Sequence, residues 1–206
     1  MHGLLDFFRR IRDPQALIAW GGYVGLTLVI FAETGLLVGF FLPGDSLLVT
    51  AGLLAATHGI FNVYALGGLL TVASIVGNTV GYGIGRATGH RLFTREDSLL
   101  FNKKHLFRAQ EFYERHGGAT VILARVMPIV RTFVPVVAGM AEMNVRKYTL
   151  YNVVGGLSWI WGMLFIGYFL GRYIPNIDKH IEPVILLVIA LSFLPGVIGW
   201  YRNRRA

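Results

Sequence analysis

Apolar residues run through this chain in stretches longer than a soluble core requires. From Ala16 to Leu42 the single charge is Glu33, and Val63 to Gly85, Tyr148 to Gly171 and Pro183 to Tyr201 carry none. A hydrocarbon core of about 30 Å takes roughly 20 helical residues, so each stretch predicts a membrane-crossing helix. Two further apolar stretches are interrupted. Val38 to Ala56 is broken by Pro43-Gly44-Asp45, and Ala119 to Ala141 by Pro128 and Pro135, with Gly52 and Gly139 near their ends. Between the two halves, Arg95 to His116 alternates Leu99, Leu100, Leu106, Phe107 and Phe112 with charged residues, which predicts an amphipathic helix near the headgroups. Residues 1–14, with Leu4, Leu5, Phe7 and Phe8 beside three arginines, read as a second interfacial segment.

Composition agrees with this pattern: 54% of residues are hydrophobic and 15% charged, and the mean hydropathy is +0.58. The first apolar run lies behind the N-terminus and is too long for a signal-peptide core, so it is read as retained. The chain has no cysteine, which excludes disulfides, thiolate metal sites and cysteine catalysis. A net charge of +8 raises nucleic acid as a partner, but the basic residues flank the apolar runs, as expected for contact with anionic headgroups and control of topology.

Lys and Arg cluster at the N-terminus (Arg9, Arg10, Arg12), between Arg86 and Arg115, at Arg146-Lys147 and at the C-terminus, while Thr57 to Asn62 has none. The positive-inside rule then places both termini and the central loop in the cytoplasm and the 57–62 loop outside. Each interrupted stretch must return to the side it entered from. Both are therefore expected to be re-entrant hairpins, about 38–56 and 119–141, whose non-helical backbone is buried in protein or lines a cavity.

Three markers recur in order. Ala51-Gly52 matches Ala138-Gly139, Gly67-Gly68 matches Gly155-Gly156, and Gly81-Tyr82-x-x-Gly85-Arg86 matches Gly167-Tyr168-x-x-Gly171-Arg172, at offsets of 87, 88 and 86 residues. Because the first glycine-bearing helix runs inward and the second outward, the halves (15–86 and 119–172, joined by 87–118) read as an inverted repeat, an arrangement common in secondary transporters. The expected fold is one all-α membrane domain over 1–206, with a final spanning helix at 183–201.

Four ionisable residues fall at membrane depth: Glu33, Asp45, Arg125 and Arg131. Each costs a few kcal/mol there, so they should face inward and pair. Arginine suggests more than a cation, since its planar fork binds phosphate bidentately, and Gly44, Ser46 and the broken backbone could offer further donors. A phosphate that occupies the arginines would leave Glu33 and Asp45 free to take up protons, a route to proton-coupled anion movement. A purely stabilising ion cluster is the rival reading.

Other motifs are weaker. Trp20, Trp159, Trp161 and Trp200 read as interfacial or packing aromatics. Asn78 and Asn152 could bond across helices. His58, His90, His105 and His116 show no metal-ligand spacing, and the glycines from Gly81 to Gly89 lack the ending of a phosphate loop. Neither a metal nor another cofactor is expected, nor is a nucleotide site.

These residues together resemble the DedA family, also described by its SNARE-associated or VTT domain. The resemblance rests on Glu33 before Phe41-Leu42-Pro43-Gly44-Asp45-Ser46, on Gly81-Tyr82-x-Ile84-Gly85-Arg86, on Arg125-x-x-Pro128-x-x-Arg131, and on Ala138-Gly139, Asn152 and Trp159. It implies a bacterial cytoplasmic-membrane protein that moves lipids between leaflets, notably undecaprenyl phosphate or phosphatidylethanolamine, with dependence on the proton gradient. By motif position Glu33 and Asp45 match the family's functional acids, and Arg125 and Arg131 its functional arginines. One departure stands out: many members carry Asp where this chain has Asn78 after Gly77.

The expected function is thus a proton-dependent flippase for an anionic lipid phosphate, most simply undecaprenyl phosphate, with membrane lipids and protons as its other partners and self-association left open. A phospholipid flippase or scramblase and a proton-coupled small-ion transporter are the alternatives. A lipid phosphatase would need a nucleophile and a paired acid-base, and no Pro-Ser-Gly-His or comparable set is present, so an enzyme is not expected.

Overall fold

The computed structural model describes residues 14–36, 42, 44–88, 111, 117–123, 125, 127–174 and 177, and all regular structure among them is helical. We number the helices α1 (Pro14–Gly35), α2 (Gly44–Thr57), α3 (Val63–Thr88), α4 (Thr120–Leu123, after a 3-10 turn at Gly117–Ala119), α5 (Pro128–Met140) and α6 (Val145–Tyr173). The expected N-terminal interfacial segment, Pro43, most of the central amphipathic segment and the final spanning helix at 183–201 lie outside the described residues.

Two of the helices have the length and composition to cross a membrane. α3 has 26 residues and α6 has 29, so at 1.5 Å per residue they reach about 39 and 43 Å. Their outward faces distinguish them from the core helices of a soluble protein. Half of α3's most apolar stretch and a third of α6's are buried, while Tyr64, Val72, Val76, Leu150, Leu157 and Phe169 are exposed. The buried face of α3 instead carries small and polar residues, among them Gly67, Ser74, Gly77, Asn78, Gly81 and Gly85. Apolar outside with small and polar inside is the pattern of a helix solvated by lipid and packed by close approach.

The ends of these helices are secured locally. Asn62 caps α3, its Oδ1 accepting from the N–H groups of Tyr64 at 3.0 Å and Ala65 at 3.1 Å, while its own N–H donates to the Tyr23 hydroxyl of α1 at 2.8 Å. Asn144 caps α6, accepting from Arg146 N–H at 3.0 Å and Lys147 N–H at 3.4 Å. Removing such an acceptor costs about 1 kcal/mol. Asn144→Ala should therefore melt a few degrees below wild type in detergent while Asn144→Asp does not, and equal melting of all three proteins would exclude the cap.

Helix α1 is less regular than its sequence suggests. Gly22 has φ 49° and ψ −140° inside it, which breaks the helix at a conformation that favours glycine. One other expectation needs correction. Pro135 does not break the second interrupted stretch; it lies inside α5. The missing N–H is tolerated there because the ring packs on α3, so that a Cβ placed on Gly81 would stand 3.3 Å from the Pro135 Cβ. Gly52 and Gly139, read near the ends of the two stretches, stand inside α2 and α5. The break falls before Pro128, at the first turn of α5, and Gly44 opens α2.

The tertiary arrangement is an exchange. α2, from the first half of the chain, packs chiefly on α6 of the second, and α5, from the second half, packs on α3 of the first. Each crossing has a glycine on both helices. A side chain on Gly52 would strike the Leu164 carbonyl and one on Gly167 the Val49 carbonyl; a side chain on Gly139 would strike the Tyr82 carbonyl and one on Gly85 the Val136 carbonyl. Gly85 thus plays toward α5 the part that Gly167 plays toward α2. The sequence match had set Gly81 against Gly167, one helical turn away.

Two apolar clusters result. Leu26, Ile30, Leu47, Leu66, Ile160 and Leu164 form the larger, and Tyr82, Phe133, Val134, Val137 and Tyr148 the smaller, with the Tyr82 and Tyr148 rings stacked at 4.3 Å.

Candidate functional site

The four charged residues singled out from the sequence are all buried: Glu33 is 0% exposed, Arg125 6%, Arg131 7% and Asp45 9%. Glu33 lies near the end of α1, Asp45 in the first turn of α2 and Arg131 in the first turn of α5. The two acids share one arginine. Arg131 donates through Nη1 to Asp45 Oδ1 at 2.7 Å and through Nη2 to Glu33 Oε1. This fork is the use for which guanidinium is suited and a lysine is not.

Local sequence explains how the acids converge. A Cβ on Gly44 would overlap the Glu33 carboxylate, so glycine at the start of α2 is what lets Glu33 lie against that helix's N-terminus. There the exposed N–H groups and the helix dipole favour a negative charge. Asp45 gains a second donor, the indole N–H of Trp159, at 2.8 Å. The ring of Trp159 lies under Arg131, whose guanidinium carbon is 4.5 Å from its centroid, and that of Arg125 is 5.9 Å away. Trp159 is 6% exposed and is no interfacial aromatic; it ties α6 to both broken segments.

Arg125 is held differently. Its Nη1 donates to the Ser74 hydroxyl at 2.9 Å, and its Nη2 to Asn152 Oδ1 at 2.8 Å and to the Asn152 carbonyl at 3.2 Å. The Asn78 amide completes the cradle: turned so that its oxygen faces Arg125 Nη2 at 2.6 Å, its nitrogen donates to the Thr34 carbonyl at 2.9 Å. In this orientation the Asn78 and Asn152 amide oxygens stand 3.0 Å apart across α3 and α6, both facing Arg125, so that the guanidinium joins the two amides where the sequence suggested a direct bond. Asn152 is held in turn by its Nδ2, which donates to the Ile75 carbonyl at 3.0 Å. The slot is glycine-made, since a Cβ on Gly155 would stand 2.7 Å from Arg125 Nε. Among the described residues no carboxylate pairs with Arg125.

A small cavity with room for about one water molecule lies between the arginines, lined by Thr34, Asn78, Arg125, Arg131 and Pro135 among others. Ser46 is buried but is not among its lining residues, and Gly44 serves Glu33 rather than the cavity. Ser74 and Thr34 were missed from the sequence. Ser74 stands four residues before Asn78, on the same face of α3, which is the signal that could have found it.

A helical membrane protein with an ion cluster buried where two interrupted segments and two long helices meet is the class these features define. A family model described as the VTT domain matches residues 42–169, more than half of the chain. The chain is 46% identical to Protein DedA of Escherichia coli over 98% of its own length and 94% of that protein. It is 38% identical to an uncharacterized membrane protein of Mycobacterium tuberculosis (95% and 88% covered) and 34% identical to the inner membrane protein YqjA of Escherichia coli (82% and 80%). No solved structure matches it. The chain belongs to the DedA, or VTT-domain, family of membrane proteins.

Proposed function

We propose that this protein is a transporter, not an enzyme, that moves an anionic lipid phosphate, with undecaprenyl phosphate the first candidate, between the leaflets of a bacterial inner membrane at the expense of the proton gradient. Both termini would lie in the cytoplasm. The interrupted segments around α2 and α5 are read as re-entrant hairpins of two inverted halves, a reading supported by the reciprocal packing of α2 on α6 and α5 on α3.

The observation that carries the proposal is the uneven distribution of charge. Two carboxylates share Arg131, while Arg125 has neutral partners. The site as a whole is neutral, and isolated charges at this depth are costly. A phosphate entering beside Arg125 adds negative charge, and a proton taken up by Glu33 or Asp45 restores the balance. Substrate and proton then favour each other's presence. The cavity is too small for a phosphate, so loading requires α2 and α5 to part, which breaks the Arg131–Asp45 contact and opens the acids to protons.

The test is leaflet exchange of undecaprenyl phosphate in vesicles holding the purified protein. Wild type should accelerate exchange at least tenfold when a proton gradient is imposed and little without one, and Arg125→Gln should return exchange to the rate of empty vesicles. Gradient-independent movement of phosphatidylethanolamine would mark a scramblase instead. Wild type as inert as empty vesicles toward every lipid would end the transport reading.

A further inference from the structure

Arg125 and Arg131 differ in what neutralises them. Arg131 meets two carboxylates; Arg125 meets a hydroxyl, a backbone carbonyl and the amides of Asn152 and Asn78. A buried guanidinium held by dipoles alone has its donors aimed but its charge uncompensated. Among the described residues Nε lacks a hydrogen-bond partner in Arg125 as in Arg131, so the difference between the two lies at the Nη groups, and the head of Arg125 lines the cavity that it shares with Arg131 and Asn78. The group that decides this is Asn78. Its amide oxygen stands 2.6 Å from Arg125 Nη2, where a carboxylate would fit the same space with one more negative charge.

Resting on the transport reading above, we infer that Asn78 is the residue that sets the headgroup charge this site accepts: by leaving Arg125 without a counter-charge in contact, its neutral amide makes the site select a phosphate monoester over a zwitterionic headgroup. The argument is one of specificity as a difference of affinities. A monoester offers Arg125 the missing counter-charge and a bidentate acceptor. A zwitterion brings its own cation, which must then be buried beside Arg125 without a partner. A carboxylate at position 78 would reverse the balance, since it would occupy the guanidinium fork and leave the site with a net negative charge suited to the ammonium of a zwitterion. Asn78 touches neither Glu33 nor Asp45 in any hydrogen bond described above, so the change is confined to the Arg125 side.

Purified protein in an uncharged detergent tests this through stabilisation by three probes: inorganic phosphate, dodecyl phosphate and dodecylphosphocholine. Wild type should bind dodecyl phosphate at least tenfold more tightly than dodecylphosphocholine. Asn78→Asp should lose that preference, with dodecyl phosphate weakened about tenfold or more, while the neutral Asn78→Ser keeps it. Stabilisation by inorganic phosphate equal to that by dodecyl phosphate would assign the same chemistry to free phosphate rather than a lipid headgroup. If Asn78→Asp does not fold, Arg125→Gln must lose the preference in its place. An unchanged preference in Asn78→Asp, or in Arg125→Gln where that variant stands in, overturns the inference, as does a wild type without preference. The two readings fail separately. A wild type that prefers dodecyl phosphate but exchanges no lipid sinks the transport proposal alone, and one that moves undecaprenyl phosphate as fast with Asp at position 78 sinks only the role of Asn78.

Discussion

Arg131→Ala should destabilise the folded protein by about 3–5 kcal/mol, the usual consequence of stranding buried charges. The size follows from what is left behind. Glu33 is fully buried and Asp45 nearly so, and both aim oxygens at the guanidinium. Trp159 still donates to Asp45, but one indole N–H does not compensate two carboxylates. The arginine is therefore required chiefly because the acids are present. A triple variant tests this: Glu33→Leu with Asp45→Asn and Arg131→Met removes all three charges and keeps an acceptor for Trp159. It should melt well above Arg131→Ala, short of wild type by the cost of leaving Arg125 with no acid in the site, and exchange no lipid phosphate. Thermal unfolding in detergent separates the cases. Arg131→Ala as stable as wild type would contradict the shared ion cluster, and an active triple variant would remove these charges from the transport cycle.

The second large effect is expected at the helix crossings. Gly85→Ala and Gly83→Ala change the same helix by the same methyl group two residues apart. At Gly85 the new Cβ would run into the Val136 carbonyl of α5, whereas at Gly83 nothing among the described residues lies within 4 Å. Overpacking typically costs about 1–3 kcal/mol, and more where the obstacle is backbone that cannot step aside. The open position should gain up to about 1 kcal/mol from better helix propensity. The same contrast is expected in α6 between Gly167, which faces the Val49 carbonyl, and Gly162, which has nothing within 4 Å among the described residues. Melting temperatures that rank Gly83→Ala above wild type and Gly85→Ala well below it would support the crossing, and equal values would exclude so close an approach. Without a hydrophobic drive between helices in lipid, close contact is the main source of their cohesion, so the loss has little to offset it.

Much of the site was legible because charge at membrane depth is rare enough to be conspicuous. Glu33, Asp45, Arg125 and Arg131 each stood out of an apolar run, and the cost of isolation demanded that they meet. Which acid meets which arginine was not legible, since four charges that could balance in pairs gather instead as three and one. Trp159 was hidden for a different reason: one of four tryptophans, it has a neighbourhood in sequence no different from that of an interfacial aromatic. The prolines misled in part. Pro128 stands at a break as expected, at the first position of α5, but Pro135 sits inside that helix, because a helix packed on neighbours in lipid tolerates a missing N–H that an isolated helix does not. The repeated glycines were visible as a pattern of close-packing positions, but the helix that each one meets was not. Proximity between Gly85 and the Val136 carbonyl is a property of the crossing, and no single helix carries it.

The exchange of partners between the halves bears on how the protein is made. Arg131 follows Asp45 by 86 residues and Glu33 by 98. In chain order both acids therefore precede their arginine by most of the molecule's length, and α2 has α1 to rest on but lacks its main packing surface until α6 follows. The N-terminal half alone is an insertion intermediate with two unmatched carboxylates and a partly supported short helix. A chain truncated before Arg131 would keep two acids at membrane depth without their cation, the costly state that the second half of the chain removes.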